Sequence, residues 1–197
     1  MILERMRPYL SGKVLDPFAG TGKLRSVYPD AYLNELEPEW AIQGPASTIG
    51  DALYLPYQSE CFDVIATSPC YGNRMADHHK AKDASKRITY THMMGRTLHK
   101  HNAGTLQWGD KYIKFHTLAW TECRRVLKKN GLFLLNVSDH IRNGAQARVG
   151  DWHLGWLLVN GFKRLETIEI KTPRMRRGSN HNLRVDYEYL FVMEKKW

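Results

Sequence analysis

Cysteine is scarce in this chain. Cys61, Cys70 and Cys123 form an odd set with no CxxC pair, which excludes a disulfide scaffold and gives no zinc-knuckle spacing. A reducing compartment, the cytoplasm, is the expectation. Long apolar runs are missing as well: none approaches the roughly 18 residues of a membrane span. Mean hydropathy is −0.50, and Met1–Lys13 lacks the continuous apolar stretch of a secretory leader. Acidic residues are the minority charge, 20 against 29 lysines and arginines, leaving a net charge of +9. The imbalance is uneven. Residues 1–70 hold 5 basic and 9 acidic side chains, and residues 71–197 hold 24 and 11. A basic excess of this size implies a polyanionic partner, and its segregation suggests two jobs for the two parts.

What is present reads as one globular domain, 1–197: 43% of the residues are apolar and 25% charged. Lys13–Phe18 is a short apolar run that stops at Asp16-Pro17 before Ala19-Gly20-Thr21-Gly22, as a buried strand entering a glycine turn does. Ala31–Leu36, Phe62–Thr67 and Gly131–Val137 are further strand candidates. Lys111–Lys129 has helical spacing and ends in a basic turn before Asn130-Gly131. Asp151–Asn160 reads as a helix capped by Asp151 and stopped by Gly161, and two strands follow near Arg164–Lys171 and Tyr187–Glu194. Strands alternating with helices, then a closing antiparallel pair, predict a doubly wound, mostly parallel α/β sheet with a terminal antiparallel strand.

Two segments break the alternation. Gly72–Asp110 is long and polar, with seven basic and three acidic residues, and Thr172–Arg184 has four basic residues and no acidic one. Unpatterned connections this long carry function or are disordered.

In open α/β sheets ligands bind beyond the carboxyl ends of the strands, where Asp16–Gly22 would sit. The segment has neither GxGxxG nor the GK[ST] ending of a phosphate loop, so it suits a ligand with amino-acid and nucleoside ends and no phosphate. DPFAGTG resembles motif I of class I S-adenosylmethionine-dependent methyltransferases, in the form found in DNA amino-methyltransferases of the N4-cytosine and N6-adenine type. The resemblance implies a Rossmann-like fold with S-adenosyl-L-methionine as cofactor, its methionine part held by Asp16 and the backbone of Phe18, Ala19, Gly20, Thr21 and Gly22. Glu35 stands 19 positions beyond Asp16, where an acid can accept both ribose hydroxyls, and its surroundings resemble motif II; Glu37 is the lesser candidate. Gly50-Asp51-Ala52 resembles motif III, which implies adenine contacts for Asp51 and Ala52.

Ser68-Pro69-Cys70-Tyr71 resembles motif IV, [S/N/D]PP[Y/F], of enzymes that methylate exocyclic base amines. An aromatic amine is a poor nucleophile because its lone pair is shared with the ring. Hydrogen bonds from the amine to Ser68 and the Pro69 carbonyl favour a more tetrahedral nitrogen, and positioning and electrostatics then suffice, without a metal. The resemblance makes Ser68, Pro69 and Tyr71 catalytic, with Tyr71 stacking on a base that has left its helix. Cys70 replaces the second proline. Its competing reading is a nucleophile as in cytosine C5 methylation, where the cofactor motif differs. A third reading of SPCY is a plain turn after a strand.

The whole chain resembles small phage or prophage-encoded DNA methyltransferases, and a serine at the first motif IV position leans toward N4 of cytosine over N6 of adenine. Substrate reading then falls to the two basic segments. Arg74, Lys80, Lys82, Lys86 and Arg87, with Arg174, Arg176 and Arg177, are candidates to neutralise phosphates. Tyr90, Trp108 and interleaved histidines are candidates to stack on bases. His78, His79, His92, His99 and His101 match no zinc spacing. Asp139-His140, after the strongest strand, is a candidate for shaping the base pocket. DNA is the expected partner of a monomer or homodimer; an RNA base methyltransferase acting for instance on guanine N2, or a binding module with a decayed site, are the competing readings.

Overall fold

The computed structural model describes residues 1–43, 48–72, 90–173, 183 and 185–197. Its centre is a seven-stranded sheet of β1 (Val14–Asp16), β2 (Tyr32–Glu35), β3 (Thr48–Ile49), β4 (Phe62–Thr67), β5 (Leu127–Val137), β8 (Phe162–Lys171) and β9 (Tyr187–Lys195). The spatial order is β3-β2-β1-β4-β5-β9-β8. β1 through β5 pair in parallel, and β9 runs antiparallel to both β5 and β8, between them. Chain order reverses between β1 and β4. That places the topological switch point, where α/β sheets bind ligands, at the carboxyl ends of Asp16 and Thr67.

The strands form because their side chains are apolar on both faces, as a covered parallel sheet requires. Ile65, Phe133 and Leu135 point to one side, with Trp120, Cys123 and Leu157. Val64, Ala66 and Leu134 point to the other, with Met6 and Leu24. The first side is covered by α4 (Asp110–Val126) and α5 (Val149–Val159); the second is covered more thinly by α1 (Ile2–Met6) and the 3-10 turn Lys23–Ser26. That turn is the one helical piece of the crossover from β1 to β2, where alternation predicts a longer helix. The rest of the span is taken by the turn into Pro29-Asp30, and Arg25 ties the connection down through its Nε on the Ala31 carbonyl. The other helices are α2 (Pro38–Gln43) and α3 (Tyr90–Met94), and β6 (His140–Arg142) pairs with β7 (Ala145–Ala147) in a hairpin. Among the described residues no helix is long and apolar enough to cross a membrane.

Two boundaries differ from the sequence pattern. The fourth helix ends at Val126 rather than Lys129, because Leu127 is fully buried and pairs with Phe62. Its last carbonyls are satisfied by the buried Lys195, whose Nζ donates to Arg124 O (3.0 Å) and Leu127 O (2.7 Å). A cation at a helix C-terminus has this role; here it comes from a distant strand and not from the helix's own basic end. The fifth helix begins at Val149, two residues before its expected cap. Asp151 makes only a surface pair with Arg148 (3.3 Å). The residue that serves the helix start is Asp139: its Oδ1 accepts from Gly150 N (2.9 Å) and its Oδ2 from Gln146 Nε2 (2.8 Å).

Asp139, read from sequence as a pocket residue, is therefore a brace between β5, the hairpin and α5. Asp139→Ala leaves a buried N–H without its acceptor and should cost about 1–3 kcal/mol. Urea denaturation reads this as a lowered midpoint with an unchanged slope; an unmoved midpoint would contradict the brace.

Candidate functional site

Thr67 Oγ1 donates to Asp16 Oδ1 across the switch point (2.8 Å). The same carboxylate oxygen accepts from Phe18 N (3.0 Å), which starts the glycine turn. Burial lifts the Asp16 carboxyl to about 7, against the hydrogen bonds from Thr67 and Phe18. The turn is held from the other side by Glu35, which is buried at the end of β2. Its Oε2 accepts from Gly20 N (2.7 Å) and its Oε1 from Glu37 N (2.8 Å). Burial also raises the Glu35 carboxyl. Asn34, fully buried beside it, donates to Gly50 O (3.0 Å), and a Cβ on Gly50 would lie 2.7 Å from Asn34 Oδ1. The three loops after β1, β2 and β3 are thus laced together at one sheet edge.

Two adjoining chambers open there. The first is lined by Pro17, Glu35, Leu36, Asp51, Ala52, Cys70, Phe115 and the segment His101–Ala103. The second is lined by Asp16, Ala19, Thr21, Lys23, Asn136 and the apolar face of α1. Phe18, Gly20, Trp40, Ser68 and Tyr90 line both. At Gly20, where φ is +53°, no heavy atom lies within 4 Å of the place a Cβ would take. Gly22 lines neither chamber; its φ of 72° turns the chain into Lys23–Ser26.

Glu37 and Asp51 are already bonded within the protein. Glu37 is fully buried, and its carboxylate gathers Arg96 Nη2, His99 N and Asn102 Nδ2 at 2.8, 2.9 and 2.8 Å. Asp51 Oδ1 accepts from Leu53 N (2.9 Å), and its Oδ2 lies 2.7 Å from His101 Nδ1. Residues 90–106, expected to face the substrate, are consequently folded down as a wall of the first chamber. Tyr90 stands edge-on to Trp40 (4.9 Å, 84°). Trp108 packs on Tyr112 and Trp152, so both aromatics expected to stack on bases are engaged inside the protein.

Ser68, exposed at the rim, has its Oγ 2.8 Å from Tyr71 Oη. Both hydroxyls also reach Asn136 Oδ1 at 3.2 Å, and Tyr71 Oη donates to Glu188 Oε2 at 3.2 Å. Asn136 and Glu188 are buried polar residues on β5 and β9. Burial pushes the Cys70 thiol up to about 12, although the Tyr90 hydroxyl works against this. A thiol held protonated in this way is a poor nucleophile.

The loop is braced from the core. Trp120 Nε1 donates only, so His153 Nδ1 accepts (2.9 Å) and the imidazole proton sits on Nε2. Nε2 donates to Tyr112 Oη (2.9 Å), and that hydroxyl donates to the Cys70 carbonyl (2.9 Å). Burial holds His153 neutral, so every link in the chain has one direction. Gly72, at φ +70°, follows, and its carbonyl accepts from Trp108 N (2.8 Å); a Cβ there would lie 2.9 Å from that nitrogen.

The structure therefore brings together Asp16, Phe18, Ala19, Gly20, Thr21, Glu35, Asp51, Ala52 and Ser68 along the chambers, with Pro69 and Tyr71 beside them. Arg74, Lys80, Lys82, Lys86, Arg87, Arg174, Arg176 and Arg177, like His78 and His79, lie outside the described residues. Tyr112→Phe strips the Cys70 carbonyl of its donor and leaves the buried His153 N–H unsatisfied. About 1–3 kcal/mol of stability should be lost, with faster amide exchange at Tyr71 and Gly72 by mass spectrometry. Unchanged exchange there would uncouple the loop from the core.

Comparison with known proteins adds to this geometry. The fold is similar to that of a SAM-dependent methyltransferase from Thermotoga maritima (13% identity, 100% of this chain and 88% of that one, TM-score 0.59). A protein of Bacillus halodurans C-125 described as a methyltransferase is similar over 99% of this chain and 98% of its own, at 15% identity and TM-score 0.60. The [4+2]-cyclase SpnF is similar over 99% and 80%, at 14% identity and TM-score 0.63; a shared fold does not carry a shared reaction. Comparison with curated protein sequences returns no match. The model of the DNA methylase family N6_N4_Mtase matches residues 62–197, which include Ser68–Tyr71, Asn136 and Glu188 and exceed half of the chain. The chain belongs to this DNA methylase family.

Proposed function

We propose that the protein transfers a methyl group from S-adenosylmethionine to an exocyclic amino group of a DNA base, N4 of cytosine before N6 of adenine. The observation that carries this reading is Ser68, which lines both chambers and is bonded to Tyr71. S-adenosylmethionine is the cofactor, and when bound it supplies an electrophilic methyl group on a positively charged sulfur. The residues present fit it. The space a Gly20 Cβ would fill is open to both chambers. Asp16 offers a carboxylate to the amino-acid end in the second chamber. Glu35 is positioned for the ribose diol in the first, and Asp51 and Ala52 for the adenine, between Leu36 and Phe115. Asp51 keeps a second lone pair on each oxygen beyond its bonds to Leu53 and His101.

Ser68 and the Pro69 carbonyl accept from the target amine, and Tyr71 supports the base. The basic segments adjoin this point in the chain. Gly72–Asp110 begins directly after Tyr71, and Thr172–Arg184 ends four residues before Glu188. Their arginines and lysines, Arg74 to Arg87 and Arg174 to Arg177, contact phosphates in this reading. The cytosine preference rests on the serine in motif IV.

Incubation with a labelled methyl donor and either DNA or RNA, followed by nucleoside mass spectrometry, tests the reading. Label on N4-methylcytosine or N6-methyladenine is expected; label on RNA guanine alone would replace DNA by RNA. Neutralising Arg174, Arg176 and Arg177 together should weaken DNA binding and flatten its salt dependence by about three phosphate contacts; an unaltered slope would remove that loop from the interface. Cofactor binding should also be linked to pH. Between about pH 4 and 7 the unfolded Asp16 is ionised while the native one keeps its proton, so stability without cofactor falls as pH rises through this window. A cationic ligand end selects the carboxylate, so affinity should rise over the same window. Calorimetry at pH 6 in buffers of different ionisation enthalpy should show proton release, lost in Asp16→Asn.

A further inference from the structure

Methylation of an amine releases a proton, and a serine hydroxyl cannot keep it. We propose that Glu188 is its terminal acceptor, reached from the target amine through Ser68 and Tyr71. This rests on the reading of the site as an amine methyltransferase, and goes beyond it by assigning a carboxylate that lies 117 positions from Tyr71 in the chain.

The geometry forms a continuous path. Ser68 Oγ lies 2.8 Å from Tyr71 Oη, and Tyr71 Oη lies 3.2 Å from Glu188 Oε2. The second step is long for an O–H···O bond, as catalytic hydrogen bonds often are before substrate arrives. Asn136 Oδ1 lies 3.2 Å from each hydroxyl and can take the proton of either, while its Nδ2 donates to Tyr189 O (3.1 Å), which fixes the amide. Among the described residues the two hydroxyl protons face two acceptors, Asn136 and Glu188. With the Ser68 proton turned toward Tyr71 or Asn136, its lone pairs are left for the amine. Glu188 itself is only 4% exposed, so Tyr71 Oη reaches its carboxylate away from bulk water.

In the step, the amine lone pair forms the nitrogen–carbon bond while the carbon–sulfur bond breaks and its electron pair stays on sulfur. The N–H pair returns to nitrogen as the proton passes to Ser68 Oγ. The Ser68 proton moves to Tyr71 Oη, and the Tyr71 proton to Glu188 Oε2. The cationic donor and the carboxylate become a neutral thioether and a neutral carboxylic acid, so charge balances. Glu188 acts through the two hydroxyls and is a positioning residue, not one that touches the base.

Single-turnover methyl transfer to unmethylated DNA tests the assignment in the wild type, Glu188→Gln, Tyr71→Phe and the double variant. Donor and S-adenosylhomocysteine affinities are measured by calorimetry alongside. Glu188→Gln should slow transfer about 100-fold, within the range for a lost general base, with both affinities within about twofold of wild type. The double variant should be no slower than the slower single, since both cut one path. Formate should restore part of the rate to Glu188→Ala, which a merely structural role would not allow. If the wild type labels a base amine while Glu188→Gln keeps its rate, if the losses multiply, or if formate does nothing, the assignment falls and the proposed function stands. A wild type that labels no amine overturns both.

Discussion

The hydrogen bond from Thr67 to Asp16 is the joint on which the site depends. β1 and β4 are neighbours, yet the chain leaves them in opposite directions across the sheet, which opens the crevice between their ends. The 2.8 Å bond closes that crevice at its base and holds two loops of different origin side by side. One loop is the glycine turn, whose backbone lines the chambers; the other carries Ser68 and Tyr71. Asp16 is kept by burial near the middle of its titration, so the joint sits next to a group whose charge a ligand can set.

A loop with Cys70 after its single proline, where the motif it resembles has a second proline, needs another restraint. Proline limits the residue before it as well as itself, and Cys70 gives up that limit on Pro69. The Tyr112 hydroxyl on the Cys70 carbonyl and the Trp108 amide on the Gly72 carbonyl hold the same backbone from outside. The hydroxyl is itself oriented by His153 and Trp120. The restraint has moved from local stereochemistry into the packing of α4 and α5.

Much of this was legible in the sequence, and the parts that were not share a cause. The strands after Lys13, Ala31 and Phe62 could be read because their signals are local: apolar runs that stop at Gly or Pro. The sheet-edge acids Asp16 and Glu35 were singled out by the resemblance of their surroundings to motifs I and II, Glu35 also by its spacing from Asp16, and the structure puts both along the chambers. Asn136 and Glu188 gave no such signal. They enter the site because β9 inserts beside β5, pairing Asn136 with Leu190 and Val137 with Tyr189, and no short-range pattern announces that register. The bracing bonds of Asp139 were hidden for the same reason, since its partner Gly150 lies across a hairpin. Residues 90–106 read as a polar loop because what folds them is the buried Glu37 carboxylate.

The position of β9 has a consequence for how the chain assembles. It comes last of the seven strands in sequence but sits inside the sheet, and its pairs with β5 span more than fifty residues. Until residues 187–195 arrive, β5 presents the apolar row Leu132–Leu135 along an open edge, which another nascent chain can copy. Non-local pairings of this kind are slow to form. The interval between synthesis of β5 and insertion of β9 is then the aggregation-prone stage of this protein's life, and a folding assistant would act there.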